Sequence, residues 1–160
     1  MKILVIDDTE DIRELVASVL TTFGFSVRTA ANGQTAVQLL ANEKPDLVIC
    51  DVNMPAMNGY DLLASVRDSS LTASIPFILM TGLVSRDGFR RGMVCGADDY
   101  LVKPFTPDEL IEAVMSRIAR QTEVQMAADK RAQKIHEYAA RHTFPEMAVE
   151  VDGMIDSAVT

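Results

Sequence analysis

An apolar segment in the middle of the chain, Leu47-Val48-Ile49-Cys50, runs directly into an acid, Asp51, and continues as Val52-Asn53-Met54-Pro55. Continuous apolar residues rich in β-branched side chains are typical of a strand that is buried on both faces. The polar residues and the proline that follow mark the carboxyl end of this strand. The segment therefore predicts a buried strand that places Asp51 at the edge of a sheet.

Three further apolar segments end in polar groups in the same way. They are Ile3-Leu4-Val5-Ile6 before Asp7-Asp8, Phe77-Ile78-Leu79-Met80 before Thr81, and Leu101-Val102 before Lys103-Pro104. If the strands are parallel, their polar ends converge on one edge of the sheet, where such folds place their ligand sites. Three carboxylates, a hydroxyl and an ammonium together suit a metal ion and a phosphoryl group.

Helical patterns separate the apolar segments, so that a strand and a helix alternate five times. In the first helix we expect Thr9 to be the N-cap residue and Leu15 to belong to the inward face, which has the spacing of three and four that helices require. Short apolar strands between amphipathic helices predict an α/β fold, with a parallel sheet that is covered on both faces.

The last helix is predicted to be unusually long. Thr106-Pro107-Asp108-Glu109 is a strong helix start, with threonine at the N-cap and glutamate three residues later, and helix-forming residues continue to about Arg141. We therefore divide the chain into a domain over residues 1–120 and a helical extension and tail over residues 121–160. The second part, with a mixed apolar segment at 144–160, is interpreted as a linker, a partner-binding segment or a dimerisation segment.

The composition excludes several classes of function. The chain has 160 residues, of which 48% are hydrophobic, and a formal net charge of -8. An apolar content of this size predicts a folded core, and an acidic balance argues against direct binding of nucleic acid. No segment approaches the roughly 20 apolar residues of a membrane span. We expect a cytoplasmic protein that does not bind membranes and keeps Cys50 and Cys95 reduced.

The acids at the strand ends have a specific chemical use. Asp7, Asp8 and Asp51 would repel one another unless a cation compensates their charge, and Mg²⁺ prefers such oxygen ligands. A carboxylate can also act as a nucleophile and form an aspartyl phosphate. Lys103 would then neutralise charge on the phosphoryl group, and Thr81 would supply a hydroxyl donor.

Residues 1 to about 120 resemble a response-regulator receiver domain of two-component signalling. The matching residues are Asp7-Asp8, Asp51-Val52-Asn53-Met54-Pro55 with Gly59, Thr81-Gly82, Gly96-Ala97 and Tyr100-Leu101-Val102-Lys103-Pro104-Phe105. The resemblance implies a flavodoxin-like fold, a doubly wound five-stranded parallel sheet with strand order 2-1-3-4-5. It also implies a phosphoprotein that takes part in a phosphorelay, a regulatory domain rather than an enzyme, able to catalyse its own phosphorylation and dephosphorylation.

The same resemblance assigns roles to individual residues. Asp51 would be the phospho-acceptor, and Mg²⁺ would be bound by Asp8, Asp51 and the backbone carbonyl of Asn53, with Asp7 acting through water. Thr81 and Lys103 would contact the phosphoryl group. Tyr100 would be the aromatic switch residue that is coupled to Thr81, and the peptide bond between Lys103 and Pro104 is expected to be cis.

Two other functions remain open at this point. A Mg²⁺-dependent phosphohydrolase also uses an aspartate nucleophile, but that class typically has a second aspartate two residues later, where this chain has Asn53. A pseudo-receiver would bind its partners without phosphorylation, and the intact set of strand-end residues argues against it. Both alternatives make predictions that a labelling experiment separates.

The resemblance implies partners but leaves the output open. The phosphoryl donor would be a sensor histidine kinase or a histidine phosphotransfer protein, and the output would pass to an effector protein, a fused output domain or a second copy of the chain. The chain is either a stand-alone receiver with a helical tail or the front piece of a longer protein, and we favour the second interpretation. Gly82, where the family most often has alanine, and the apolar Leu83 lead us to predict slow autodephosphorylation.

Overall fold

The computed structural model describes residues 1–82 and 85–142. Five strands and five helices alternate along the chain in the order β1 Lys2–Ile6, α1 Glu10–Thr22, β2 Ser26–Ala30, α2 Gly33–Asn42, β3 Leu47–Asp51, α3 Gly59–Asp68, β4 Phe77–Thr81, α4 Arg86–Cys95, β5 Asp99–Val102 and α5 Pro107–Arg141. Leu83 and the apolar segment 144–160, which we singled out in the sequence, lie outside the described residues.

The strands form one parallel sheet with the order β2-β1-β3-β4-β5. Strand β3 is central and pairs with β1 through Ile49 and Val5, and with β4 through Ile49 and Ile78. The predicted fold class, a five-stranded doubly wound parallel sheet with an extended last helix, is confirmed. Since all five strands are parallel, their carboxyl ends lie at the same edge of the sheet.

Two hydrophobic cores lie on opposite faces of this sheet. Successive strand residues alternate between them, so that Val48 and Cys50 belong to the first core and Leu47 and Ile49 to the second. Helices α2 and α3 cover the first core, and α1 and α5 cover the second, with the buried residues Ala36, Leu62, Leu63 and Val66 on one side and Val16, Leu20, Leu110 and Val114 on the other. Each fully buried aliphatic side chain stabilises the fold by about 2 kcal/mol.

Two details of helix α1 differ from the prediction. Thr9 occupies the N-cap position, but its side chain makes no capping hydrogen bond. The Thr9 backbone N–H instead donates a hydrogen bond to the Asp7 carboxylate at 2.9 Å. The acid that follows β1 thus stabilises the turn that leads into α1. Leu15 was wrongly placed on the inward face, since it is 60% exposed, and the helix turns Val16 and Leu20 toward the sheet.

Helix α5 begins with the predicted capping box. The Thr106 hydroxyl accepts from the Glu109 backbone N–H at 3.1 Å, and the Glu109 carboxylate accepts from the Thr106 backbone N–H at 3.4 Å. The chain divides into two compact units, Met1–Ala119 and Arg120–Thr160. Within the second unit, every described residue, from Arg120 to His142, is exposed. None of the helices in the described part is both long enough and apolar enough to cross a membrane.

Candidate functional site

The strand ends bring the predicted site residues to one edge of the sheet. Asp7 follows the last residue of β1, Asp51 is the last residue of β3, Thr81 is the last of β4, and Lys103 follows β5. The backbone holds these ends in register, because the Lys103 N–H donates to the Thr81 carbonyl at 2.8 Å and the Val52 N–H donates to the Met80 carbonyl at 2.9 Å. The peptide bond between Lys103 and Pro104 is cis.

Lys103 makes ion pairs with two of the acids. Its ammonium nitrogen, Nζ, lies 2.8 Å from Oδ2 of Asp7 and 3.2 Å from Oδ1 of Asp51. The Asp7 side chain is completely buried and the Asp51 side chain is 7% exposed, whereas the lysine reaches the site from a partly exposed position. Hydrogen-bonded ion pairs of this kind fix the orientation of both carboxylates.

Asp7, Asp8 and Asp51 form a compact acidic group. One carboxylate oxygen of each lies within 4.8 Å of the oxygens of the other two. Asp8 is exposed, so the group opens to solvent on its side, while Asp7 and Asp51 form its buried wall. Three negative charges face one ammonium here, and a set of hard oxygen donors with excess negative charge fits a divalent cation such as Mg²⁺.

The electrostatics of Asp51 and Lys103 follow from this crowding. Burial and the neighbouring charge of Asp7 raise the pKa of Asp51, although Lys103 and the Asn53 backbone N–H act in the opposite direction. Burial alone would lower the pKa of Lys103, but its hydrogen bond to Asp7 and the charge of Asp51 outweigh that effect and raise it. The lysine is therefore held in its charged form beside a carboxylate whose negative charge is only partly compensated.

The loop after Asp51 returns closely to the strand end. The Gly59 N–H donates to the Val52 carbonyl at 2.9 Å, and a Cβ atom at Gly59 would clash with the Asp51 carbonyl oxygen and lie only 3.0 Å from the Val52 Cα. Asn58 caps α3 with its side chain in a capping box with Asp61. The start of α3 thus holds the loop that carries Asn53 against the end of β3.

Tyr100 lies in β5 and pairs with Leu79 of β4. Two residues further along, Val102 pairs with Thr81. The Tyr100 hydroxyl donates to the Gly88 carbonyl in α4 at 2.7 Å. Burial and the nearby Tyr60 hydroxyl raise the pKa of Tyr100. Thr81 itself is buried. The two residues that we predicted to be coupled therefore lie on adjacent strands, with Thr81 at the end of β4 and Tyr100 two residues before the end of β5.

Comparison with known proteins identifies the family to which the chain belongs. The model of the response regulator receiver domain family matches residues 3–115. The chain belongs to the response regulator receiver family. Receiver domains are regulatory signalling domains of two-component systems, so the resemblance noted in the sequence is confirmed.

Relatives of the receiver include proteins named as transcriptional regulators. The protein named "Probable transcriptional regulator ycf27" of Cyanophora paradoxa is 42% identical over 122 residues, which cover 76% of this chain and 49% of that protein. The phosphate regulon transcriptional regulatory protein PhoB of Pseudomonas aeruginosa is 37% identical over 118 residues, which cover 74% of this chain and 52% of that protein. The chain thus spans about half the length of these curated relatives.

Solved structures agree with the fold of the receiver. The chemotaxis protein CheY4 of Vibrio cholerae superposes with a TM-score of 0.70 at 35% identity, and the match covers 72% of this chain and 96% of that chain. The long last helix of the receiver ends at Arg141 and so continues well beyond residue 115, where the match to the family model ends.

Sequence reasoning missed one group of contacts in the receiver. Tyr60 of α3 donates to the same Gly88 carbonyl as Tyr100, at 2.8 Å, and the two tyrosine hydroxyl oxygens are 3.4 Å apart. Tyr60 had no feature in the sequence that set it apart from a core aromatic residue. The spacing of Gly88 and Gly92, one helical turn apart in α4, was the available signal, because it leaves one helix face without side chains.

Proposed function

We propose that the receiver is a phospho-accepting switch and that Asp51 accepts the phosphoryl group. The observation that supports this most strongly is the position of its carboxylate, which is buried at the carboxyl end of the central strand with Lys103 Nζ 3.2 Å from one oxygen. A carboxylate acts as a nucleophile in its ionised form, which the neighbouring Lys103 ammonium favours. Its other neighbours, Asp7 and Asp8, are oxygen donors for a metal ion.

In the proposed reaction a carboxylate oxygen of Asp51 attacks the phosphorus atom of the donor. A new O–P bond forms, and the bond from phosphorus to the leaving group breaks, which is the N–P bond of a phosphohistidine or the O–P bond of acetyl phosphate. The leaving group takes the bonding electron pair. Lys103 would stabilise the negative charge that spreads over the phosphoryl oxygens, and the Thr81 hydroxyl would donate to one of them.

The acidic group fits Mg²⁺, which would neutralise charge on the phosphoryl oxygens when it is bound. Asp8 and Asp51 would bind it directly together with the Asn53 backbone carbonyl, and Asp7 would act through water. Asp7 is suited to that indirect role because Lys103 and the Thr9 N–H already occupy its two carboxylate oxygens, at 2.8 and 2.9 Å. Asp8 is exposed and free to turn toward an incoming ion.

The test is stoichiometric labelling by acetyl phosphate in the presence of Mg²⁺. We expect wild type to be labelled, Asp51→Asn to be unlabelled, and Asp68→Asn, an exposed acid at the end of α3, to be labelled like wild type. Labelling of Asp51→Asn at the wild-type stoichiometry would refute the assignment. Steady release of phosphate from a small ester would support the phosphohydrolase instead, and absence of labelling by acetyl phosphate and by a cognate kinase would support the pseudo-receiver.

The output is proposed to run through Thr81 and Tyr100. A phosphoryl group at Asp51 would draw the Thr81 hydroxyl toward it, and Tyr100 would move with it and alter the surface for a partner. The donor would be a sensor histidine kinase or a histidine phosphotransfer protein. The signal would pass to an effector, to a fused output domain such as transcriptional regulators carry, or to a second copy of the chain through residues 121–160.

Solution mass tests the dimer form of this output. The full chain and a chain that ends at residue 120 are compared with and without Mg²⁺ and beryllofluoride, which mimics the phosphoryl group. If residues 121–160 mediate dimerisation, only the full chain doubles its mass on activation. An unchanged mass with unchanged spectra would exclude the dimer switch. The slow autodephosphorylation that we predict is measured separately, as the loss of label from protein phosphorylated by acetyl phosphate once the donor is removed, and a half-life of seconds would contradict it.

A further inference from the structure

The loop that joins β3 to α3 carries Asn53, a proposed metal ligand, on a stretch that is largely exposed. Asn53, Pro55 and Ala56 are all exposed, and Ala56 has a left-handed backbone, with a φ of 65°. Residues other than glycine adopt this conformation rarely, so it persists only where surrounding contacts impose it. The position of the Asn53 carbonyl therefore depends on contacts that other residues of the loop make.

Met57 supplies one of these contacts, against the first residue of α2. A Cβ atom at Gly33 would lie 2.7 Å from the Met57 sulfur atom, 2.9 Å from its Cγ and 3.0 Å from its Cβ. The methionine thus lies along the bare backbone of Gly33, which is buried. Because the contact includes the Met57 Cβ, whose place is fixed by the loop backbone, rotation of the side chain alone cannot make room for an added methyl group.

This contact joins the loop to the part of the fold that holds the acids. Strand β1 lies between β2 and β3 in the sheet, and Asp7 and Asp8 follow it. The Asp7 N–H donates to the Ala30 carbonyl, at the end of β2, at 3.2 Å, and α2 begins three residues later. Met57 therefore connects the loop that carries Asn53 with the strand end to which the acids are bound.

A cleft separates the two loops beside this contact. It has a volume of about 220 Å³ and is lined by Asn32, Gly33 and Gln34 on one side and by Pro55, Ala56 and Met57 on the other. Because space lies beside the methionine, removing its side chain would enlarge the cleft and give the loop room to shift.

We propose that Met57 and Gly33 are positioning residues for Mg²⁺, because their contact fixes the Asn53 carbonyl relative to the acids. The inference rests on the proposed function, in which this carbonyl binds the ion together with Asp8 and Asp51. Mg²⁺ requires near-ideal octahedral geometry with short bonds to oxygen. A loop that also occupies other positions therefore binds the ion more weakly, in proportion to the time that it spends away from the metal-binding position.

The experiment measures the dissociation constant of Mg²⁺ by NMR titration of the ¹⁵N-labelled full chain, with no phosphoryl donor present. Met57→Ala should weaken binding about fivefold, the factor expected if the loop then occupies the metal-binding position about one-fifth of the time. Met57→Leu, which restores most of the side-chain volume, should bind within about twofold of wild type. Gly33→Ala should also weaken binding, since the added methyl group displaces the methionine.

A double variant and a stability control separate positioning from a general loss of stability. In the Met57→Ala background, Gly33→Ala should weaken binding by less than about twofold, because the methionine atoms beyond Cβ that it would displace are gone. Val66→Ala removes packing from the first core near the other end of α3, and should lower the free energy of unfolding but leave the Mg²⁺ affinity unchanged. Fully additive losses, or weaker Mg²⁺ binding in Val66→Ala, would overturn the inference.

The Mg²⁺ dependence of labelling by acetyl phosphate gives a further readout. A higher Mg²⁺ concentration should restore the labelling rate of Met57→Ala to that of wild type, because Asp51 ends a buried strand and keeps its place. A rate that stays low at saturating Mg²⁺, or full Mg²⁺ affinity in both Met57→Ala and Gly33→Ala, would contradict the positioning role. Failure of wild type to bind Mg²⁺ would instead contradict the proposed metal site itself, and the inference with it.

Discussion

Asp51 of the acidic site ends β3, and helix α4 follows the neighbouring strand β4. The first is held by burial in the core, whereas the second is held mainly by hydrogen bonds. Asp51 ends a strand whose five residues are all buried, and Lys103, the acids and the returning Gly59 backbone surround it. Helix α4 has its apolar side chains exposed and is joined to its neighbours at backbone carbonyls, by tyrosine hydroxyls at Gly88 and by Arg67 at Gly96.

In the proposed function, this difference would separate a rigid site of phosphorylation from a helix that can change position. A site built on buried strand ends keeps its geometry because displacing it would disrupt the core, which is what phosphoryl chemistry requires. A helix held by a few hydrogen bonds can change position for a free energy of the order of one or two such bonds, about 1–3 kcal/mol. A charge change of the size of a phosphoryl group can supply that.

The largest effect is expected where the site is most crowded. Gly59→Ala should reduce the free energy of unfolding by about 3 kcal/mol, since its Cβ would meet the Asp51 and Val52 backbone, which cannot yield without moving the strand end. Gly82→Ala, where a Cβ would have nothing within 4 Å, is the control and should change stability by less than about 0.5 kcal/mol. Equal urea midpoints for the two variants would contradict the rigid-site description.

A smaller loss is expected when the carboxyl end of α4 is released. Arg67 donates to the carbonyls of Gly96, Ala73 and Ile75 and to the Asp98 carboxylate, at 2.6–3.0 Å. Arg67→Ala should reduce the free energy of unfolding by about 2 kcal/mol, because charge-assisted hydrogen bonds are lost at a partly buried position. Arg67→Lys keeps the charge but not the planar guanidinium, so full stability in that variant would show that charge alone is sufficient.

Removing the Asp51 charge should stabilise the protein at neutral pH. Asp51→Asn is expected to raise the free energy of unfolding by about 1 kcal/mol at pH 7, because burial and Asp7 disfavour the ionised carboxylate and raise its pKa. For a raised pKa the stability contribution is present at low pH and lost as the pH rises through the folded-state pKa. The gain should therefore shrink as the pH falls through the raised folded-state pKa of Asp51, and vanish below the ordinary aspartate pKa of about 3.9. A gain that is constant with pH in urea titrations would exclude this explanation.

The smallest effect is expected on the exposed face of α4. Val94→Ala should change the free energy of unfolding by less than about 0.5 kcal/mol, since Val94 is 82% exposed. Val66→Ala in α3, a helix of the same length, should cost about 2 kcal/mol because Val66 is buried in the first core. Similar losses in both variants, measured by urea unfolding, would mean that α4 is packed as firmly as α3.

Much of this architecture is predictable from the order of residues. The apolar segments before Asp7, Asp51, Thr81 and Lys103 predict strands, and the rule that parallel strands end at one edge brings the polar groups together. The capping residues Thr106 and Glu109 likewise predict where α5 begins. These predictions succeed because strand burial and helix capping depend on neighbours in sequence.

Other features required the tertiary structure. Thr9 makes no side-chain capping hydrogen bond. Leu15 faces away from the sheet, because the packing of α1 against β2 and β1 decides which face is buried. The meeting of Tyr60 and Tyr100 at one carbonyl joins residues that are 40 positions apart. The hydrophobic periodicity of the sequence carries no information about such a contact. The contact depends on how α3, α4 and β5 pack around the core that they share.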